Sequence, residues 1–256
     1  MPTFAVNGHN LYYEIRGDER HPPLVLLHHG LGAVSEWEPL IQHFSPRYRV
    51  IACDRWGYGR SDPRPDFDYG YLLADTQEAI ALLDHLGIKR ACVIGHSDGG
   101  TIALLLASQR PDLVRAMVVE AAHIYYEPKI HRGISYMLGG LRKGWLRPYL
   151  INLHGEKGPA LGERWLTHWL EESNVPADLV APDALSRIAC PVLVVQGEDD
   201  EYATPQHAID IAAALPESEL WLIPGCGHIP HAAVKEQFLE RVEAFFRRAG
   251  VEGEVG

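Results

Sequence analysis

Ser97 stands in Gly95-His96-Ser97-Asp98-Gly99, between the apolar run Ala91–Ile94 and a long apolar stretch from Thr101 to Ala107. That order reads as strand, sharp turn and helix. A serine at such a turn can act as a nucleophile. Its hydroxyl is lifted above the end of the strand, and the first amides of the helix, which have no intrahelical partner, face whatever it attacks. Gly95 and Gly99 lack a Cβ, so strand and helix can pass close together and the serine can occupy a strained backbone region.

An activated serine needs a base, and the base needs an orienting acid. Two downstream segments offer them. Gln196-Gly197-Glu198-Asp199-Asp200 follows the apolar run from Val192, and Gly225-Cys226-Gly227-His228 follows the run Glu219–Ile223. Both lie at carboxyl ends of predicted strands, where an open α/β sheet gathers its ligand chemistry. Asp199 competes with Asp200 for the acid, and His231 competes with His228 for the base. Asp199 points the other way in an extended segment. His231 follows Pro230 and is expected to begin the last helix.

The elements that must position these groups follow in order. Phe4–Val6, Asn7-Gly8 and Leu11–Ile15 predict a hairpin. Leu24–Leu27, Arg49–Cys53 and Ala116–Glu120 predict further strands, and Glu36–Phe44 a short helix between the first two of these. Leu72, Ala79, Leu83 and Leu86 recur at helical spacing, with Gly87 as a stop. Gln206–Ala214 predicts another helix, and Val234, Phe238, Val242 and Phe245 mark the last one. Short apolar strands alternating with amphipathic helices imply an α/β architecture, a mostly parallel sheet covered on both faces. Residues 124–186 break the rhythm. They are aromatic-rich and mostly helical, and are expected to form a lid inserted into a core of residues 1–123 and 187–256.

Several segments together resemble the α/β-hydrolase fold family over essentially the whole chain. His28 with Gly30 and Gly32 resembles its oxyanion loop, with Trp37 at the expected distance. Asp54-Arg55-Trp56-Gly57-Tyr58-Gly59-Arg60-Ser61 resembles its Asp-x-x-Gly-x-Gly-x-Ser loop, and Gly197-x-x-Asp200 and Gly227-His228 match its acid and base positions. The resemblance implies an eight-stranded sheet and a triad of Ser97, His228 and Asp200. It also implies an oxyanion hole from the backbone amides of Gly30 and Asp98, with Leu31 the alternative if the register shifts by one. The expected activity is cleavage of a small carboxylic ester through an acyl-enzyme, without cofactor. Carbon–carbon bond or lactone hydrolysis, and a ligand-binding receptor with little turnover, remain alternatives.

Two residues depart from the family pattern. His29 stands where glycine is common, and its side chain is expected to face solvent or the pocket entrance. Asp98 places an acid directly after the nucleophile. The Ser-Asp-Gly-Gly elbow resembles the valacyclovirase-like (biphenyl hydrolase-like) branch, which implies that Asp98 recognises a substrate amine. Favourable placement at a helix N-terminus is the other explanation. His29, Trp56, Glu120, Tyr125, Trp165, Trp169 and Tyr202 are the candidate pocket residues. Glu120 and His123 are expected to form a hydrogen-bonded pair at the lid hinge, and His28 to orient the oxyanion loop. The remaining histidines are expected at the surface.

The bulk properties narrow the choice. A chain of 256 residues with 46% hydrophobic residues can bury one sizeable core. Its net charge of −11 disfavours a nucleic-acid or anionic-membrane partner and says little about substrate; the small-molecule ester expected as ligand is what the family resemblance implies. The four cysteines form no Cys-x-x-Cys pair, and His28-His29 lacks metal-ligand spacing, so no metal is expected. Met1-Pro2-Thr3-Phe4 shows no basic segment ahead of an apolar core, and the expected location is cytoplasmic.

Overall fold

A computed structural model describes residues 2–171 and 175–251. Its strands are β1 (Thr3–Val6), β2 (His9–Arg16), β3 (Pro23–Leu27), β4 (Arg49–Cys53), β5 (Ala91–His96), β6 (Val114–Glu120), β7 (Val192–Gly197) and β8 (Ser218–Ile223). They form one sheet in the order β1-β2-β4-β3-β5-β6-β7-β8. The β1–β2 and β2–β4 pairs are antiparallel, and the other five are parallel. The hairpin turns through Asn7 and Gly8, both with positive φ, the geometry that favours Asn-Gly.

The central strands are apolar on both faces because both faces are covered. Their side chains alternate between two cores. Val25, Leu27, Val93 and Val119 join one core, and Leu24, Leu26, Ile94 and Val118 the other. Helices α1 (Glu38–Phe44), preceded by a 3₁₀ turn at Val34–Trp37, α2 (Tyr71–His85) and α3 (Asp98–Gln109) complete the first half. α2 and α3 pack on the first core, and α1 on the second, through Leu40, Ile41 and Phe44.

Helices α4 (Pro128–Lys143), α5 (Arg147–His154), α6 (Gly158–Leu170) and α7 (Pro182–Leu185) lie between β6 and β7. α6 packs against both α4 and α5, whereas α7 packs back on α3. The chain ends with α8 (Gln206–Ala214), α9 (Pro230–Ala233) and α10 (Lys235–Arg248). α10 buries Phe238, Val242, Phe245 and Phe246 in the second core. Among the described residues, no helix is long and apolar enough to cross a membrane.

Candidate active site

The turn from β5 into α3 has the strain that its glycines suggest. Ser97 holds φ 55° and ψ −120°, a region that non-glycine residues rarely enter. Its amide donates to the carbonyl of Glu120 at 2.8 Å, and its own carbonyl accepts Thr101 N–H at 3.0 Å in the first turn of α3. A Cβ on Gly95 would overlap the Gly99 carbonyl, and one on Gly99 would overlap the Leu27 carbonyl at the end of β3. These two positions therefore require glycine for close approach.

Asp200 follows β7 and is fully buried, whereas Asp199 is exposed. Asp200 Oδ1 accepts the amides of Tyr202 at 2.7 Å and Ala203 at 3.1 Å. Its Oδ2 accepts Gln196 Nε2 at 2.7 Å and lies 2.8 Å from His228 Nδ1. Burial raises its pKa, but His228 and the two backbone amides outweigh that and hold it at about 2. Burial likewise opposes a charge on His228. Asp200, with smaller contributions from Glu120 and Glu201, more than offsets it and raises the imidazole pKa above its ordinary value. The His228 loop is held from both sides. His96 Nε2 donates to the His228 carbonyl at 2.8 Å, and the His228 amide donates to Glu201 Oε2 at 3.0 Å.

Ser97 and His228 line one cavity of about 430 Å³ with His29, Gly30, Leu31, Asp98, Trp165, Trp169 and Tyr202. The Tyr202 and His228 rings meet edge to face at 4.7 Å. The rest of the wall is mostly apolar: Ile130, Ile134 and Met137 from α4, with Trp145, Leu146 and Tyr149 beyond it. The sequence reading did not single out Ile130, Ile134, Met137 or Leu146, although the spacing of Ile130, Ile134 and Met137 is the signal of one helical face.

The His28–Gly32 segment, the candidate oxyanion loop, is firmly held. His28 is buried, with Nδ1 donating to the His29 carbonyl at 2.8 Å and Nε2 accepting the Arg55 amide at 3.1 Å. Asp54 Oδ1 accepts the Val34 amide at 2.7 Å. The Leu31 amide is directed to His29 Nδ1 at 3.3 Å, which favours Gly30 over Leu31 as the free donor. The Trp165 indole covers Gly30 so closely that a Cβ there would overlap Cζ2.

Asp98 is not a free counter-charge. Its carboxylate is 1% exposed. Oδ2 accepts Tyr71 Oη at 2.7 Å and Arg55 Nη2 at 3.4 Å, and Oδ1 lies 3.5 Å from His123 Nε2. Burial raises its pKa, but His123, Arg55 and Tyr71 together pull it well below the usual carboxylate value. Arg55 also pairs with Asp75 at 2.8 Å, and Asp75 with Arg64 at 2.7 Å. Two buried cations thus face two buried anions. Trp165 and Trp169 both donate to Tyr71 Oη at 3.0 Å, linking this network to α6.

Three candidate pocket residues lie elsewhere. Trp56 stacks on His9 with centroids 4.1 Å apart, packs against Arg64, and donates to the Pro63 carbonyl. Tyr125 stacks on His207 at 4.0 Å and donates to Asp210. Glu120 is fully buried and accepts the His231 amide at 2.6 Å and His231 Nδ1 at 2.7 Å. Its partner is therefore His231, in α9, rather than His123, which faces Asp98. The expectation of surface histidines also fails for His96, His154, His168 and His207, all buried. Among the described residues, His96, Glu120 and His231 bring possible metal ligands within 4.8 Å of one another. Both Glu120 oxygens are already engaged by His231.

The alpha/beta hydrolase fold family model matches residues 23–144 and 130–232. The chain is 30% identical over 251 residues to the mouse (Mus musculus) protein named serine hydrolase BPHL, covering 95% of this chain and 85% of that one. It is 28% identical over 263 residues to (E)-2-((N-methylformamido)methylene)succinate hydrolase of Acinetobacter baylyi, covering 93% and 95%. The crystal structure of the enol-lactonase from Burkholderia xenovorans LB400 superposes with a TM-score of 0.78 at 22% identity, covering 96% of this chain and 100% of that one. The chain belongs to the alpha/beta hydrolase fold family and is a hydrolase.

Proposed function

We propose that this protein is a serine hydrolase that cleaves small, uncharged carboxylic esters through an acyl-enzyme. The observation that carries the reading is Ser97, strained at the head of α3, sharing one largely apolar cavity with a histidine that Asp200 holds by Nδ1. Similarity to a protein named serine hydrolase supports the class. Ser97 Oγ forms the bond to the acyl carbon as His228 Nε2 takes its proton. The proton passes to the departing alcohol oxygen as the ester C–O bond breaks, and water then repeats the sequence on the acyl-enzyme. Asp200 fixes the imidazole tautomer and stabilises its cation. The Gly30 and Asp98 amides bind the oxyanion, each such donor contributing about 3 kcal/mol in the transition state.

Helices α4–α6 form the lid, whose apolar residues receive the acyl group. With its charge already compensated inside the protein, Asp98 favours an uncharged substrate over an amino-acid ester. Four free thiols suit a reducing compartment, and the cytoplasm is the proposed location.

The test is p-nitrophenol release from short-chain p-nitrophenyl esters by the native protein and by Ser97→Ala, both shown folded by circular dichroism. The expected loss exceeds about a thousandfold. Turnover that survives unchanged overturns the assignment of Ser97. A native protein that opens lactones or cleaves carbon–carbon bonds but ignores esters overturns the substrate class. Ligand binding without turnover points instead to a receptor.

A further inference from the structure

His29 replaces a glycine expected beside the oxyanion donor, and its ring is fully engaged. Nδ1 accepts the Leu31 amide at 3.3 Å, so the proton resides on Nε2, which donates to Glu36 Oε2 at 3.0 Å. Glu36 Oε2 also accepts the Ala33 amide at 3.3 Å. The other oxygen, Oε1, accepts Tyr149 Oη at 2.7 Å. Tyr149 belongs to α5, in the helical layer over the site. A hydrogen-bonded path therefore runs from α5 to the turn that carries Gly30.

Two further observations make the path part of a built interface. A Cβ on Gly32 would come within 2.9 Å of both the His29 ring and Glu36 Oε2, so glycine there leaves room for the pair. At the other end of α5, His154 Nε2 donates to the Leu31 carbonyl at 3.0 Å, and Nδ1 accepts the Gly59 amide at 2.8 Å. Helix α5 thus grips the oxyanion loop at both of its ends.

We propose that Tyr149, Glu36 and His29 are positioning residues that form a latch between α5 and the oxyanion loop. With the latch made, the ring of His29 retains the Leu31 amide and fixes the His29–Gly32 turn, which is closed by Gly32 N–H to the His29 carbonyl at 3.1 Å. The Gly30 amide is then held in place for the developing oxyanion. Opening α5 for substrate entry breaks the latch, so the oxyanion hole is complete only when the cavity is covered. The inference rests on the proposed serine-ester reading.

The experiment compares native protein with Tyr149→Phe, Glu36→Gln and the double variant. It uses a p-nitrophenyl ester and two inhibitors that share one carbon skeleton, a trifluoromethyl ketone and a methyl ketone. The former adds the serine to give an oxyanion, and the latter binds as a neutral ketone. Tyr149→Phe is expected to lower kcat about tenfold, the worth of one net hydrogen bond, with KM little changed. Trifluoromethyl ketone affinity falls by the same factor and methyl ketone affinity does not. Tyr149 Oη also lies 3.4 Å from His29 Nε2, so the double variant is expected to lose less than the product of the two single losses, as for residues coupled in one network. Equal weakening of both ketones, a rise in KM alone, or additive losses would overturn the latch. Failure of the underlying reading is recognised separately, because Ser97→Ala would then retain turnover.

Discussion

Replacing Asp98 by asparagine separates a structural carboxylate from a substrate counter-charge. The substitution keeps the shape and removes one negative charge from a group in which Arg55 and Arg64 face Asp75 and Asp98. Deleting one partner of a buried pair costs about 3–5 kcal/mol. Here Arg55 keeps Asp75 at 2.8 Å, and its contact with Asp98 is long at 3.4 Å. The shorter bond from Tyr71, at 2.7 Å, loses its charged acceptor, and such bonds contribute roughly 1.5–3 kcal/mol. The expected loss is therefore about 2–3 kcal/mol, or roughly 5–10 °C in melting temperature for a domain of this size. Thermal unfolding reads that loss. Parallel kinetics with an amino-acid ester and a neutral ester of equal size read specificity, and the ratio of their kcat/KM values should stay within about twofold, since no interaction with substrate charge is lost. An unchanged melting temperature with an amino-ester loss of about a hundredfold, the worth of a 2–3 kcal/mol contact to substrate, would refute the structural account.

With His228 as the proposed base, its raised pKa predicts that kcat/KM climbs with pH through a single ionisation above the ordinary histidine value. Asp200→Asn removes the main cause of that rise, leaves burial dominant, and should move the residual activity profile to lower pH; an unmoved midpoint would assign the ionisation to another group. Acid should destabilise the fold, because burial lowers the pKa values of His28, His96, His154, His168 and His207. The unfolded chain binds protons near pH 6.5 that these folded imidazoles refuse, so their stability contribution is present above 6.5 and is lost as pH falls. His154, held at about 4, accounts for about 2 kcal/mol of loss by pH 5 on this linkage. His228 and His231, whose pKa values are raised, act oppositely but are fewer. Urea unfolding at pH 7.5, 6 and 5 measures the slope, and a flat profile would contradict the neutral buried state of these rings.

The alternation of apolar strands with helices was legible because the sheet is covered on both faces, so each strand reads as a nearly unbroken apolar run. The positions of Ser97, Asp200 and His228 were legible for a related reason: each lies in the segment just after a strand, β5, β7 or β8, and strand ends are easy to locate. The side-chain partners of Asp98 and Glu120 were not legible. Asp98 meets Arg55 from 43 positions away, and Glu120 meets His231 from 111; local spacing carries no trace of either pair. Trp56 and Tyr125 looked like pocket walls because aromatic side chains suit both a ligand and a core. Stacking on His9 and His207 decided between those roles. Buried histidines were missed because a neutral imidazole that finds hydrogen-bond partners is tolerated in a core, as His154 is between Leu31 and Gly59.

The left-handed backbone of Ser97 has a consequence for the chain's tolerance of change. A conformation of this kind is retained at a cost of about 1–3 kcal/mol, and glycine would adopt it nearly free of that cost. Under the proposed mechanism, thermostability and chemistry therefore pull position 97 in opposite directions. Heat-challenge screens that ignore turnover should enrich Ser97→Gly, an inert but sturdier protein. Any programme to harden this scaffold must therefore couple survival to catalysis, or it will discard the hydroxyl first.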